Sequence, residues 1–241
     1  MSVSTSTPTI PGEPVVVREI KEKGRGLFAT REFKQGESIH KEVPMIYSTG
    51  DVPKPYVTHP WALTHAILER TDAKYINDHF GDVSFIQTLP VWDADDDKMM
   101  AQFGVDHPDC SANDIKKCYA MVVARNLESH IKVLVKSEKA ADTILTLTVG
   151  FGFYQRFGFL NHSCEPNVEI QTSNPKTGEK VIYALSAIAR DDQLQISYVD
   201  SDRLQLSVQE RQKIVVETFG FSCICARCIR EMELDNKKSL D

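Results

Sequence analysis

The chain has 241 residues, 41% hydrophobic and 26% charged, with 12 Gly and 11 Pro. That is the profile of one ordinary globular core, neither disordered nor collagen-like. A formal net charge of -6, from 28 Lys and Arg against 34 Asp and Glu, argues against a protein that binds nucleic acid through a broad basic surface.

Residues 1–13 are rich in Ser, Thr and Pro and read as a disordered N-terminal tail. They lack the basic and apolar regions of a secretory leader, and no apolar run approaches ~18 residues. An intracellular protein is expected, nuclear or cytoplasmic, with no membrane segment. From Pro14 the pattern turns to short strands: PVVVREI, GLFAT and ESIHKEVPMIYS, punctuated by Gly24, Gly26 and Gly36. Residues 48–60 form a loop. Pro60 suits a first helical position, with Leu63, Ala66 and Ile67 on one face. DADDD at 93–97 reads as a solvated loop. A second helix is expected from Ser111, with Asp114 three residues on and Ile115, Cys118, Tyr119 and Val122 at helical spacing. Cys118 belongs to that apolar stripe, and Cys110 has no partner pattern.

Strand character returns at Thr143. ILTLTV alternates, Val168 and Ile170 follow a turn, KVIYALSAI pairs with them across NPKTGE, and LQISYV is another short strand. Ser207 and Glu210 form a capping-box pattern, and Ile214, Val215 and Thr218 continue that helix. The class is α+β, with β segments from distant parts of the chain sharing one core.

Of the six cysteines, Cys223, Cys225 and Cys228 fall within six residues. Without a leader, a disulfide framework is a poor default. A structural zinc ion takes four ligands in a tetrahedron, and thiolates suit it. Cys164, in the turn NHSCEPN, would complete a four-thiolate set; His162 is a rival fourth ligand, and free thiols are the plain alternative. Asn161 and His162 offer polar groups to a ligand, or simply make a turn. Gly24-Arg25-Gly26 allows close backbone approach to a ligand, or a sharp hairpin. Tyr198, ending a short strand, offers a phenol that could orient a reacting amine, or merely packs.

In order, GRGLFAT, NHSCEPN, ISYVD and FGFSCICARC resemble the SET-domain protein lysine methyltransferases, most strongly the SET-and-MYND branch. The MYND finger is lacking: residues 51–142 hold only Cys110 and Cys118, too few for its zinc sites. The resemblance covers about residues 14–50 and 143–230. It implies a SET β-fold of short strands with a pseudoknot over 14–218, a helical insertion at about 51–142, a post-SET zinc segment at 219–232 and a flexible tail at 233–241.

The implied activity is S-adenosylmethionine-dependent methylation of a lysine on a histone or non-histone protein, by a monomer. An inactive binding module and a small-amine methyltransferase of the same fold are the alternatives. The resemblance gives cofactor contacts to Gly24, Arg25, Gly26, Asn161 and His162, and catalysis to Tyr198. It places Tyr198, Phe219 and Phe221 at the substrate channel, and zinc on Cys164, Cys223, Cys225 and Cys228. Phe219 stands where the SET-and-MYND branch usually has a tyrosine. Asn126 is a candidate for a further cofactor asparagine. Phe153, Tyr154, Phe157 and Phe159 are candidates for lining the channel or for plain core.

Overall fold

The computed structural model describes residues 12–20, 24–44, 46–47, 61–69, 94–135, 143–174 and 177–238. Pro60 and most of the N-terminal tail lie outside them. In chain order the elements are β1 (Val15–Ile20), β2 (Gly24–Ala29), β3 (Ser38–Glu42), β4 (Ile46–Tyr47), α1 (Trp61–Leu68), α2 (Ala94–Asp106), α3 (Ala112–Arg125), β5 (Asn126–Val135) and β6 (Thr143–Phe153). A short 3-10 turn (Phe157–Phe159) leads to β7 (Asn161–His162), β8 (Val168–Asn174), β9 (Glu179–Ala184), β10 (Gln193–Ile196), α4 (Ser201–Leu204), α5 (Val208–Phe219) and α6 (Ala226–Lys238). The sheets have strand orders β1-β2-β10-β7, β3-β9-β8 and β4-β6-β5. Among the described residues no helix is long and apolar enough to cross a membrane.

The chain divides into two compact units. The first is Met1–His40, Phe159–Gln171 and Ile182–Asp241; the second is Lys41–Gly158 and Thr172–Val181.

In the first unit, β1 and β2 run antiparallel, from Val15 opposite Ala29 to Ile20 opposite Gly24. β10 adds antiparallel to β2, with Leu194 opposite Leu27. β7 then pairs parallel to β10, with Asn161 opposite Gln195 and His162 opposite Ile196. Val15, Val17, Leu27, Ala29 and Leu194 are buried in its core. The sheet therefore brings the glycine pair and the NHSC turn, more than a hundred residues apart in sequence, onto the two neighbours of β10.

α5 begins as its sequence predicts. The Ser207 side chain accepts from the Glu210 N–H, and the Glu210 carboxylate accepts from the Ser207 N–H. It ends at Gly220, whose φ of 75° is the left-handed cap a Cβ would strain. α6 corrects the expectation of a flexible tail from 233, because the helix runs through Lys238. Arg227 and Glu231, four residues apart, pair along it at 2.7 Å.

In the second unit, β5 and β6 form a long antiparallel hairpin, with a bulge between Ser129 and His130. The insertion is thus not helical throughout: its described residues include the strand β5. The acidic run is not a loop from 94 onward either, because α2 starts at Ala94; Asp93 lies outside the described residues. Acidic residues in a first turn complement the helix dipole, so the run suits a helix start. α3 opens at its Ser111 cap, whose hydroxyl accepts from the Asp114 N–H at 3.2 Å. It buries Ile115, Cys118, Tyr119 and Val122, as the stripe predicts. Trp61 of α1 packs on Phe103 and Tyr119, with centroids 4.9 and 4.2 Å away.

Candidate functional site

The glycine strand is closely packed at Gly26. A Cβ on Gly26 would sit 2.6 Å from Ile20 Cδ1, 2.7 Å from Gln193 Nε2 and 3.1 Å from Asn161 Nδ2, so only hydrogen fits there unless those side chains move. Asn161 Nδ2 donates to the Arg25 carbonyl at 3.0 Å, which joins the NHSC turn to the glycine strand. Arg25 lays its guanidinium over the Phe159 ring, 4.8 Å from the centroid. The buried Nε2 of Gln193 has no hydrogen-bond partner. An unpaired buried donor is costly unless something polar meets it. Gln193 is the residue that sequence reasoning missed; nothing but its place on the strand beside β2 marks it.

Next to these groups stands Tyr198. β10 stops at Ile196, so Tyr198 leaves the sheet rather than ending a strand. Its hydroxyl donates to the Leu160 carbonyl at 2.7 Å. The residue remains 36% exposed, but desolvation of the phenol pushes its pKa up to about 12. The ring lies 5.3 Å from Phe219 and 6.5 Å from Phe221, the latter edge-on. Both phenylalanines come from the end of α5 and the loop after it.

His162 is buried beneath this group. Its Nδ1 accepts from the Tyr198 backbone N–H at 3.0 Å, and its Nε2 lies 3.4 Å from Cys164 Sγ. Burial lowers its pKa, so the ring is neutral.

The four cysteines converge. The sulfurs of Cys164, Cys223, Cys225 and Cys228 lie within 4.8 Å of one another, and all four thiols are free of disulfides. Four clustered sulfurs fit a tetrahedral zinc site. Groups around the cluster hold its ligands in place. The Cys223 N–H donates to Gln212 Oε1 at 2.9 Å. Arg227 donates to the Cys164 carbonyl at 3.2 Å, and Arg230 grips Glu165 through both carboxylate oxygens at 3.0 Å. Arg211, only 1% exposed, directs one NH2 nitrogen at Glu231 and at Cys228 Sγ, 3.8 Å away. Its charge offsets the negative charge that thiolate ligation gathers there.

Other candidates fall elsewhere. Tyr154 and Phe157 are buried and stacked at 5.5 Å, and Tyr154 donates to the Gly178 carbonyl at 2.6 Å; both are core of the second unit. Asn126 opens β5 opposite Phe153 in that same unit. Cys118 is fully buried, with its thiol pKa driven up by desolvation, and is core.

Comparisons with known proteins address the family and the fold. The SET-domain family model matches residues 24–199. "Histone-lysine N-methyltransferase ATXR2" of Arabidopsis thaliana is 34% identical over 83 residues, which is 34% of this chain and 17% of that protein. "Histone-lysine N-methyltransferase set5" of Schizosaccharomyces pombe is 39% identical over 69 residues, 29% of this chain and 20% of that protein. "Protein-lysine N-trimethyltransferase SMYD5" of Mus musculus is 32% identical over 114 residues, 47% of this chain and 27% of that protein. The match therefore spans under a third of each of these relatives. Among solved structures, the SET domain of LSMT bound to lysine and AdoHcy superposes with a TM-score of 0.50 at 11% identity, covering 89% of this chain and 54% of that one. With the family model running from the glycine strand to just past Tyr198, this chain belongs to the SET-domain family.

Proposed function

We propose that this protein is an S-adenosylmethionine-dependent lysine N-methyltransferase acting on a protein substrate, histone or non-histone. The observation that carries the reading is the pairing of Tyr198, with its hydroxyl held by Leu160, and the crowded glycine site at Gly26. One feature positions a reacting amine, and the other gathers the Gln193 and Asn161 amides against the glycine strand.

The residues fit the cofactor. The Gln193 Nε2 that lacks a partner and the Asn161 side chain, packed against Gly26, offer a cradle of polar groups beside Arg25. Gly24, Arg25, Gly26, Asn161 and His162 would bind it there. The cofactor supplies a methyl group made electrophilic by its sulfonium.

The remaining work falls to this chain. A lysine amine in water titrates at about 10.4 and must be neutral to attack, so it gives its proton to water before transfer. The aromatic walls of Tyr198, Phe219 and Phe221 disfavour the cation and exclude water from the amine. The Tyr198 phenol keeps its own proton and fixes the amine's direction through its oxygen. Alignment of the two reacting atoms accounts for most of the acceleration. The thiolate cluster holds the loop that carries Phe221 and follows Phe219.

The test is incubation of the purified protein with methyl-labelled S-adenosylmethionine, core histones and a cell extract. Label on protein lysine is expected. No label on any protein, together with no heat of cofactor binding by calorimetry, would overturn the reading.

A further inference from the structure

The second unit holds a cluster that the methyl-transfer chemistry leaves unused. His65 sits in the last turn of α1, and Glu69 lies four residues on. The Glu69 N–H donates to the His65 carbonyl at 2.9 Å, so the helical spacing continues and both side chains leave from one face. His107 follows directly on α2, and its N–H donates to the Phe103 carbonyl at 2.8 Å. The Nε2 of His107 lies 3.1 Å from the Nδ1 of His65. One donor atom from each of His65, Glu69 and His107 lies within 4.8 Å of the others.

The rings are braced. Phe103 stacks on His107 with centroids 5.4 Å apart and meets His65 edge-on at 6.2 Å. Zinc binds imidazole nitrogen at about 2.0–2.1 Å, and a tetrahedron of that size spaces two nitrogens about 3.3 Å apart. The two rings are already close to that separation. A His–His hydrogen bond accounts for the 3.1 Å contact but assigns no role to the carboxylate that completes the triangle.

We infer that His65, Glu69 and His107 form a second metal site, for a divalent transition ion of the zinc class. Two imidazoles and one carboxylate bind, and a fourth position is open to water. The site shares no residue with the four-thiolate cluster. It ties the end of α1 to the segment leaving α2 and so braces the insertion.

The experiment uses the full chain as purified, with Zn2+ added to saturation, gel filtration to remove loose metal, and elemental analysis. The wild type should carry two zinc ions per chain. Glu69→Gln, at an exposed position, should keep the helical circular dichroism and weaken the second ion about tenfold or more in a zinc titration. His107→Gln should lose that ion, and Cys225→Ser should weaken the other one alone. One zinc per chain in the saturated wild type would overturn the inference. So would a titration unchanged in Glu69→Gln, which decides the matter even if His107→Gln misfolds. Neither readout depends on methyl transfer.

Discussion

The Tyr198 backbone N–H donates to Nδ1 of His162 at 3.0 Å, while the other nitrogen of that ring faces Cys164 Sγ at 3.4 Å. Because Nδ1 accepts, the single proton of the neutral ring sits on Nε2 and points at sulfur. One imidazole therefore links the tyrosine to a cysteine of the metal cluster. His162→Ala strands a part-buried N–H, a loss of roughly 1–3 kcal/mol. Methyl transfer should fall by about 5- to 150-fold, while zinc content stays that of the wild type. Unchanged turnover would show that Tyr198 holds its place without the ring.

Tyr198→Phe removes the hydroxyl and its bond to Leu160 while keeping the aromatic wall. Single-turnover transfer should drop about a hundredfold or more, as expected for loss of a positioning group. Cofactor affinity by calorimetry should stay within a few-fold, because the phenol is not part of the cradle. Near-normal transfer would remove the assigned role.

Gly26→Ala forces a methyl group against Ile20, Gln193 and Asn161. All three contacts are ends of flexible side chains, so the fold should survive with a melting temperature only a few degrees lower. The cradle should be disturbed, because Ile20 Cδ1 and Gln193 Nε2 must shift and Asn161 Nδ2 must give by a few tenths of an ångström. Cofactor affinity should fall about tenfold, and calorimetry on the variant reads it directly.

The desolvated Tyr198 phenol titrates near 12 instead of its ordinary 10. A folded-state pKa raised above the unfolded value gives stability that is intact below about pH 10 and is lost as pH rises toward 12. Thermal melts across that window should fall more steeply for the wild type than for Tyr198→Phe. The phenol also stays protonated at mildly alkaline pH, so transfer should keep rising toward pH 10 as the substrate lysine loses its proton. A fall in rate beginning near pH 8, in protein that is still folded, would contradict this.

Chelation tests the thiolate site. Structural zinc contributes apparent binding free energies of about 10–16 kcal/mol in comparable peptides, against a whole-domain margin of about 5–15 kcal/mol. Losing only about 4 kcal/mol should lower the melting temperature by about 8–16 °C at this chain length. A strong chelator should therefore lower the melt by at least that much and reduce the helical signal of α6. A melt indifferent to the chelator would remove the metal from the account.

Much of the site is legible in the sequence because its signals are local or chemically specific. Cys223, Cys225 and Cys228 announce a ligand set, and the Ser207–Glu210 pair fixes the start of α5. The Ile115–Val122 stripe gives α3 for the same reason. What escapes is either non-local or masked by polarity. α6 is charged along most of its length, and DADDD looks like solvent-facing coil until its place at a helix start is known. β5 carries alternating Leu127, Ile131, Val133 and Val135, a strand signal easily overrun by the helical stripe before it. Gln193 and the His65–Glu69–His107 triangle depend on distance in space. Nothing at Glu69 points forward 38 residues to His107.

The cluster that joins Cys164 to Cys223 spans 59 residues of chain. On a ribosome adding about 5–20 residues per second, those two cysteines are made roughly 3–12 s apart. Until the second arrives, the NHSC turn waits with one sulfur and no partners, and the tyrosine beside it lacks its aromatic neighbours. The four-sulfur cluster therefore cannot close until residue 228 has been made, and the aromatic neighbours of Tyr198 are made just before it.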